Sequence, residues 1–185
     1  MLGGVDRVQI RERRLDGRAL LAFAEALSDA ARRARPGVEI VVNRRIDVAL
    51  LIGADGVHLG FDALAIAEAR ALLGAGAKIG ASTHSVAEAE TAIRAGADYV
   101  HLAPVFAPLS KSSTRPALGL DRLAEACARS GRVIAQGGVD PDRIVEIVRT
   151  GVAGVAVTGH LLAAADPRSA AEAMRASIDE AARQS

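Results

Sequence analysis

Two short glycine turns, Gln136-Gly137-Gly138-Val139 and Val157-Thr158-Gly159-His160, are the first residues in this chain to suggest chemistry. Without side chains at Gly137, Gly138 and Gly159, backbone N–H groups can come close enough to hold an anion, and a helix starting after Thr158 adds the positive end of its dipole. Glycines of this kind also serve as plain turn residues. Two such turns closing neighbouring segments favour a phosphate grip. A second group is basic and polar: Gln9 and Arg11 share one face of an extended run, alternate to Ile10, and Arg13 follows. Asn43, Ser82 and His84 close other β-like runs. Lys111 lies in a segment, 103–119, that carries three prolines and exceeds an ordinary connection, so it reads as a binding loop or lid. Lys111 is then either a phosphate or pyrophosphate contact or a solvated lysine.

The four histidines fall in four separate segments with no H-x-H or H-x-x-x-H spacing, which gives a zinc site no support. His101 is the first choice for proton transfer, because an imidazole titrating near neutrality can take and return a proton, and His84 is the second. His58 and His101 occupy equivalent places in a repeat, and the competing reading for both is a hydrogen-bonded core histidine. Asp62 reads as a helix N-cap, Asp47 as a helix carboxylate and Asp55 as a turn residue. No paired carboxylates close the β-like runs, which weakens a divalent-metal or glycosidase reading.

Positioning these groups falls to an alternation of short β-branched runs and longer Ala/Leu/Glu/Arg segments. Strands are expected at 7–10, 39–42, 56–59, 78–82, 99–102, 133–136 and 154–157. Helices are expected at 17–35, 46–52, 63–73, 86–95, 121–129, 142–150 and 168–183. Near-continuous apolar strands alternating with helices imply a parallel sheet covered by helices. Four strands are announced by one phrase, beginning at Gly4, Gly53, Gly96 and Gly151, with starts 49, 43 and 55 residues apart. Each interval holds two βα units. The fold class expected is therefore α/β, a TIM (β/α)8-type barrel in one domain over residues 1–185, with the first β-strand and helix absent. A seven-stranded open variant is the alternative. A doubly wound sheet is disfavoured, since no G-x-G-x-x-G opens a helix.

Half the residues are apolar but only three Phe and one Tyr are aromatic, so Ala, Val, Leu and Ile must do the packing. A formal net charge of +1 offers no field to recruit nucleic acid or an anionic membrane. The single cysteine, Cys127, excludes an internal disulfide and reads as a buried structural thiol. No apolar stretch approaches a membrane span and no signal layout is found, so the expected compartment is the cytoplasm.

With these residues laid out, the chain resembles the thiamine-phosphate synthase/TenI family from end to end, less its first βα unit. The matching stretches are Val8 to Arg13, Val42 to Ala49, Gly56 to Gly60, Ser82 to Ser85, Asp98 to Val100 with Pro104-Val105-Phe106, Ser110-Lys111, and Gly137 to Val139. The synthase branch joins a pyrimidine diphosphate to a thiazole phosphate and releases pyrophosphate, using magnesium. The resemblance implies pyrophosphate contacts at Arg11, Arg13 (where a lysine is usual), Asn43, Ser82 and Lys111. It implies thiazole-phosphate contacts at Gln9, Gly137, Gly138, Val157, Thr158 and Gly159.

Two departures stand out. The aspartate that normally follows the strand-end asparagine is Arg44, and the second metal-binding aspartate falls on Ala63, with Asp62 one place off. Loss of the first also marks the TenI branch, which includes thiazole tautomerase, although that enzyme's proposed acid/base histidine falls on Pro104. The expectation is accordingly a TenI-like protein binding a small phosphorylated thiazole, with tautomerase-type proton transfer. Thiamine-phosphate synthase is the alternative, and a non-catalytic ligand-binding or regulatory barrel the second alternative. No cofactor is expected, magnesium only under the synthase alternative; neither nucleic acid nor membrane is a partner, and self-association into a homo-oligomer stays open.

Overall fold

Each of the four repeat glycines adopts positive φ, 83° at Gly4, 56° at Gly53, 98° at Gly96 and 82° at Gly151, and so reverses the chain into the next strand. The aspartate two residues on does more than turn the chain. Asp55 Oδ2 accepts the Ile40 N–H and Asp98 Oδ2 accepts the Ile79 N–H, both at 2.7 Å, stapling each strand start to its neighbour. Ala153, the counterpart in the last repeat, keeps only the backbone bond, its N–H donating to the Val133 carbonyl at 2.8 Å.

The computed structural model describes residues 3–60, 62–107 and 115–184. Its seven strands are β1 (Arg7–Ile10), β2 (Glu39–Asn43), β3 (Gly56–Leu59), β4 (Lys78–Thr83), β5 (Tyr99–Leu102), β6 (Val133–Gln136) and β7 (Gly154–Ala156). All pair parallel in sequence order, forming one curled sheet. Helices α1 (Gly17–Ala34), α2 (Ile46–Leu51), α3 (Ile66–Leu73), α4 (Val86–Arg94), α5 (Gly119–Ser130), α6 (Ile144–Arg149), α7 (Gly159–Ala163) and α8 (Pro167–Arg183) complete the units. The fold is a TIM-type βα barrel lacking one strand: no ladder joins β7 to β1 among the described residues. Across that seam α8 reaches β1, with Arg175 Nη2 2.6 Å from both carboxylate oxygens of Asp6.

Outward-facing Ile40, Val42, Val57, Leu59 and Ile79 pack under α1 to α3, while Val100, Leu102, Val133 and Ala135 pack under α4 to α6. The alternate residues face the lumen and are mostly polar, which strict period-two geometry makes possible. Tyr99 crosses the lumen floor into space that a Cβ at Gly80 would occupy, 2.1 Å from Tyr99 Cζ. Arg7 lies over the Tyr99 ring at 4.1 Å and donates from Nε to Glu39 Oε2 at 2.7 Å.

Two expectations need correction. Asp62 does not cap α3, which begins at Ile66; Glu68 Oε2 accepts the Ala65 N–H at 3.0 Å in that place. Asp62 stands three residues ahead of the Ala65 cap position, and its carboxylate is engaged by Arg44. The helix expected over 142–150 opens as a 3₁₀ turn, Pro141–Arg143, under an Asp140 side-chain cap, before α6. Among the described residues no helix is long and apolar enough to cross a membrane.

Candidate active site

At the C-terminal ends of the strands lies a cavity of about 1060 Å³ that runs down into the seam. Its wall gathers Gln9, Arg11, Arg13, Asn43, Ser82, His84, His101, Gly137, Gly138, Val157, Thr158 and Gly159, so the described candidates from six strands share one space. Lys111 lies outside the described residues.

On the β1–β4 side the polar groups interlock. Asn43 Nδ2 lies 3.4 Å from Gln9 Oε1 and 3.3 Å from the His58 carbonyl. His58 Nε2 is 2.9 Å from Ser82 Oγ, and its Nδ1 is 3.4 Å from the Tyr99 hydroxyl. Beyond β1, Glu12 Oε1 accepts the N–H groups of Arg13 and Arg14 at 2.7 and 2.6 Å. That turn sends Arg11 and Arg13 to the cavity. Partial burial, then the Arg13 and Arg44 guanidiniums, hold Arg11 below the usual arginine range.

The histidines are quieter than their sequence role assumed. His101 is 7% exposed and its ring centroid lies 4.2 Å from that of His58. Burial lowers its pKa to about 4, despite a hydrogen bond that the ring donates to Gln136 and that works the other way, with Arg7 lowering it further. Burial, then His101, Arg7 and Arg11, lower His58 to about 2. Both imidazoles are neutral at physiological pH. His84 is fixed by a bond from Nδ1–H to the Ala103 carbonyl at 2.7 Å, which makes Nε2 an acceptor in the neutral ring.

On the β5–β7 side the glycines answer to packing as well as to ligand access. Gly137 and Gly138 have φ of 95° and 62°. A Cβ on Gly137 would lie 2.8 Å from Pro104 Cα, and one on Gly138 2.5 Å from the Ala107 carbonyl oxygen. Phe106 N–H donates to the Gly137 carbonyl at 3.0 Å, and Arg143 Nη1 donates to the Gly138 carbonyl at 2.6 Å. Both carbonyls are thereby occupied, while α7 begins at Gly159 beside the same cavity.

Two participants were missed in the sequence. Gln136 was read only as a neighbour of glycines, yet it bonds His101; its position at a strand end was the available signal. Arg44 was noted as a departure but not as a site residue. Its Nη1 lies 2.7 Å from Asp62 Oδ2, and both residues line the cavity.

Comparisons with known proteins agree with this geometry. Residues 1–161 match the profile of the family described as Thiamine monophosphate synthase. The chain is 42% identical over 174 residues to a thiamine-phosphate synthase of Methanoculleus marisnigri, covering 94% of this chain and 82% of that one. It is 38% identical over 179 residues to that of Chloroflexus aurantiacus, covering 96% and 82%. Among solved structures, thiamine phosphate pyrophosphorylase from Pyrococcus furiosus superposes with a TM-score of 0.88 at 32% identity, covering 97% of this chain and 85% of that one. A 3-hexulose-6-phosphate synthase structure, at 22% identity and a TM-score of 0.67, shares the fold alone. These relatives overturn the TenI-like, thiazole-tautomerase expectation: at this identity over nearly the whole chain they are named synthases, which favours a transferase over an isomerase. The chain is an enzyme and belongs to the thiamine-phosphate synthase/TenI family.

Proposed function

We propose that this chain is a thiamine-phosphate synthase, joining a pyrimidine methyl diphosphate to a thiazole phosphate. The thiazole nitrogen forms a bond to the pyrimidine methylene carbon, the carbon–oxygen bond to diphosphate breaks, and pyrophosphate leaves with the electron pair. The observation that carries the reading is one cavity with two anion-suited stretches: arginines after β1 and β2, and the glycine turns after β6 and β7. In this reading Arg11, Arg13, Asn43, Ser82 and Lys111 receive the pyrophosphate. Gln9, Gly137, Gly138, Val157, Thr158 and Gly159 receive the thiazole phosphate. Positive groups already in place where the leaving group gains charge lower the barrier without reorganising at the moment of reaction.

Magnesium, which the resemblance implies for synthase activity, does not fit the residues present. Among the described residues no three of His, Cys, Asp and Glu are gathered to hold a cation. Asp62, one place off the expected position, is ion-paired with Arg44, and Ala63 brings only a methyl group. Hard cations need several oxygen ligands, which this stretch does not supply.

The test is direct: incubate the full chain with both substrates and follow thiamine phosphate and pyrophosphate by chromatography, with and without magnesium. The reading expects both products in equal amounts. Absence of both under every condition, from folded protein, overturns it.

A further inference from the structure

Three guanidinium groups share one stretch of the cavity wall. Arg11 and Arg13 come from the turn after β1 and Arg44 from the end of β2. Arg11 feels both of the others as like charges. Crowding cations does not stabilise an empty site, because they repel and each must be ordered. The carboxylates nearby do not balance them. Glu12 is folded onto the N–H groups of its own turn. Asp62 meets Arg44 alone, among the described residues, with Nη1 and Oδ2 2.7 Å apart.

The backbone at Arg44 is a second, independent observation. It is the one residue other than glycine with positive φ among the described residues, at 66°. That conformation is strained for a long side chain and persists only where the surroundings over-determine it. Here the Arg44 N–H donates to the His58 carbonyl at 2.9 Å and its carbonyl accepts the Ile46 N–H at 3.2 Å. The side chain thus leaves the end of β2 from a pinned backbone, beside Asn43, on the cavity wall.

We propose that Arg11, Arg13 and Arg44 together form a metal-independent clamp for a diphosphate group, with Asp62 as the internal counter-ion that Arg44 shares or releases when the diphosphate arrives. The inference deepens the synthase reading and rests on it only for the identity of the diphosphate-bearing substrate. Guanidinium suits the task, since its planar fork presents several donors in the geometry of phosphate oxygens and stays charged throughout. With Nη1 engaged by Asp62, the remaining N–H donors of Arg44 belong to the same fork. A divalent cation would meet three positive charges here before it met a free carboxylate.

The test is calorimetric titration of the full chain with inorganic pyrophosphate, once in EDTA and once in excess magnesium chloride. Pyrophosphate is expected to bind in EDTA, with no gain in affinity from magnesium. Arg44→Asn removes the guanidinium while suiting positive φ, and should weaken binding by roughly 10- to 100-fold, as loss of a charged hydrogen-bond donor does. Asp62→Asn frees Arg44 from its competitor and should tighten binding. Pyrophosphate that binds only with magnesium overturns the clamp, as does an Arg44→Asn variant that binds as the parent does. Product formation from the two substrates, run in the same two buffers, separates the two ideas. Turnover that demands magnesium sinks the clamp and leaves the synthase reading standing. Pyrophosphate held in EDTA without any product does the reverse.

Discussion

His58 Nε2 and Ser82 Oγ lie 2.9 Å apart across neighbouring strands, and through this contact a fully buried ring supports a hydroxyl on the cavity wall. Removing the hydroxyl leaves a buried ring nitrogen without that partner. Ser82→Ala should therefore cost about 1–3 kcal/mol in urea denaturation. A loss within a few tenths of a kcal/mol would mean that His58 is satisfied some other way.

The two lumen histidines also make stability depend on pH. Their folded pKa values, about 2 for His58 and about 4 for His101, lie below the ordinary value of 6.5. The unfolded chain therefore binds protons that the folded chain refuses. Their contribution is complete above about pH 6.5 and is lost as pH falls toward the folded values; for His101 the loss is on the order of 3 kcal/mol. Urea midpoints measured from pH 7.5 down to 4.5 should fall, and His101→Gln should flatten the curve. A midpoint that stays level across that range in the parent would contradict the buried, neutral pair.

Gly138 and Gly53 have similar φ, 62° and 56°, but only Gly138 has atoms where a Cβ would go. Gly53→Ala should cost about 1–2 kcal/mol, the penalty of the left-handed conformation itself. Gly138→Ala adds a clash with Ala107 and Phe106 and should cost about 1–3 kcal/mol more, while weakening thiazole-phosphate binding. Equal losses in the two variants would show that the turn after β6 relaxes freely.

Carboxylates placed where Arg44 and Ala63 stand should change the cation preference of the site. Arg44→Asp with Ala63→Asp, beside Asp62, groups three carboxylates near one strand end, and aspartate tolerates the positive φ at residue 44. A magnesium-dependent rise in melting temperature is expected in this variant; at about 100 times Kd the stabilisation is roughly 2.7 kcal/mol. No rise at millimolar magnesium would show that the end of β2 cannot shape a cation cage.

The strands were legible because β-branched runs between glycine-led phrases leave little freedom of assignment, and the repeat ordered them. The gathering of Gln9, Asn43, Ser82 and Gly137 followed from placing them at strand ends, where parallel geometry brings such residues to one face. What escaped were relationships between loops. Asp62 has cap chemistry and a helix ahead of it, yet a guanidinium 18 positions back in the chain claims it, and local spacing carries no trace of that pairing. The burial of His101 and its bond to Gln136 likewise exist only in the folded barrel and leave no mark on local spacing. The choice of reaction failed for a related reason. Arg44, Ala63 and Pro104 are three positions that set this chain apart from both branches, while identity spread over nearly the whole chain points to the synthases.

Because every strand pairs only with its neighbours in sequence, the sheet has two ends, as a zip fastener does and a hoop does not. A hoop resists until some ladder is cut against both flanks. Here β1 and β7 each carry a single ladder among the described residues, and the contact from Arg175 of α8 to Asp6, just ahead of β1, serves as a latch across the seam. Tension applied at the two termini would open the latch first and then peel strands from either end, in steps of one βα unit. Such stepwise opening is the behaviour of stacked arrays, in which each unit leans only on the next.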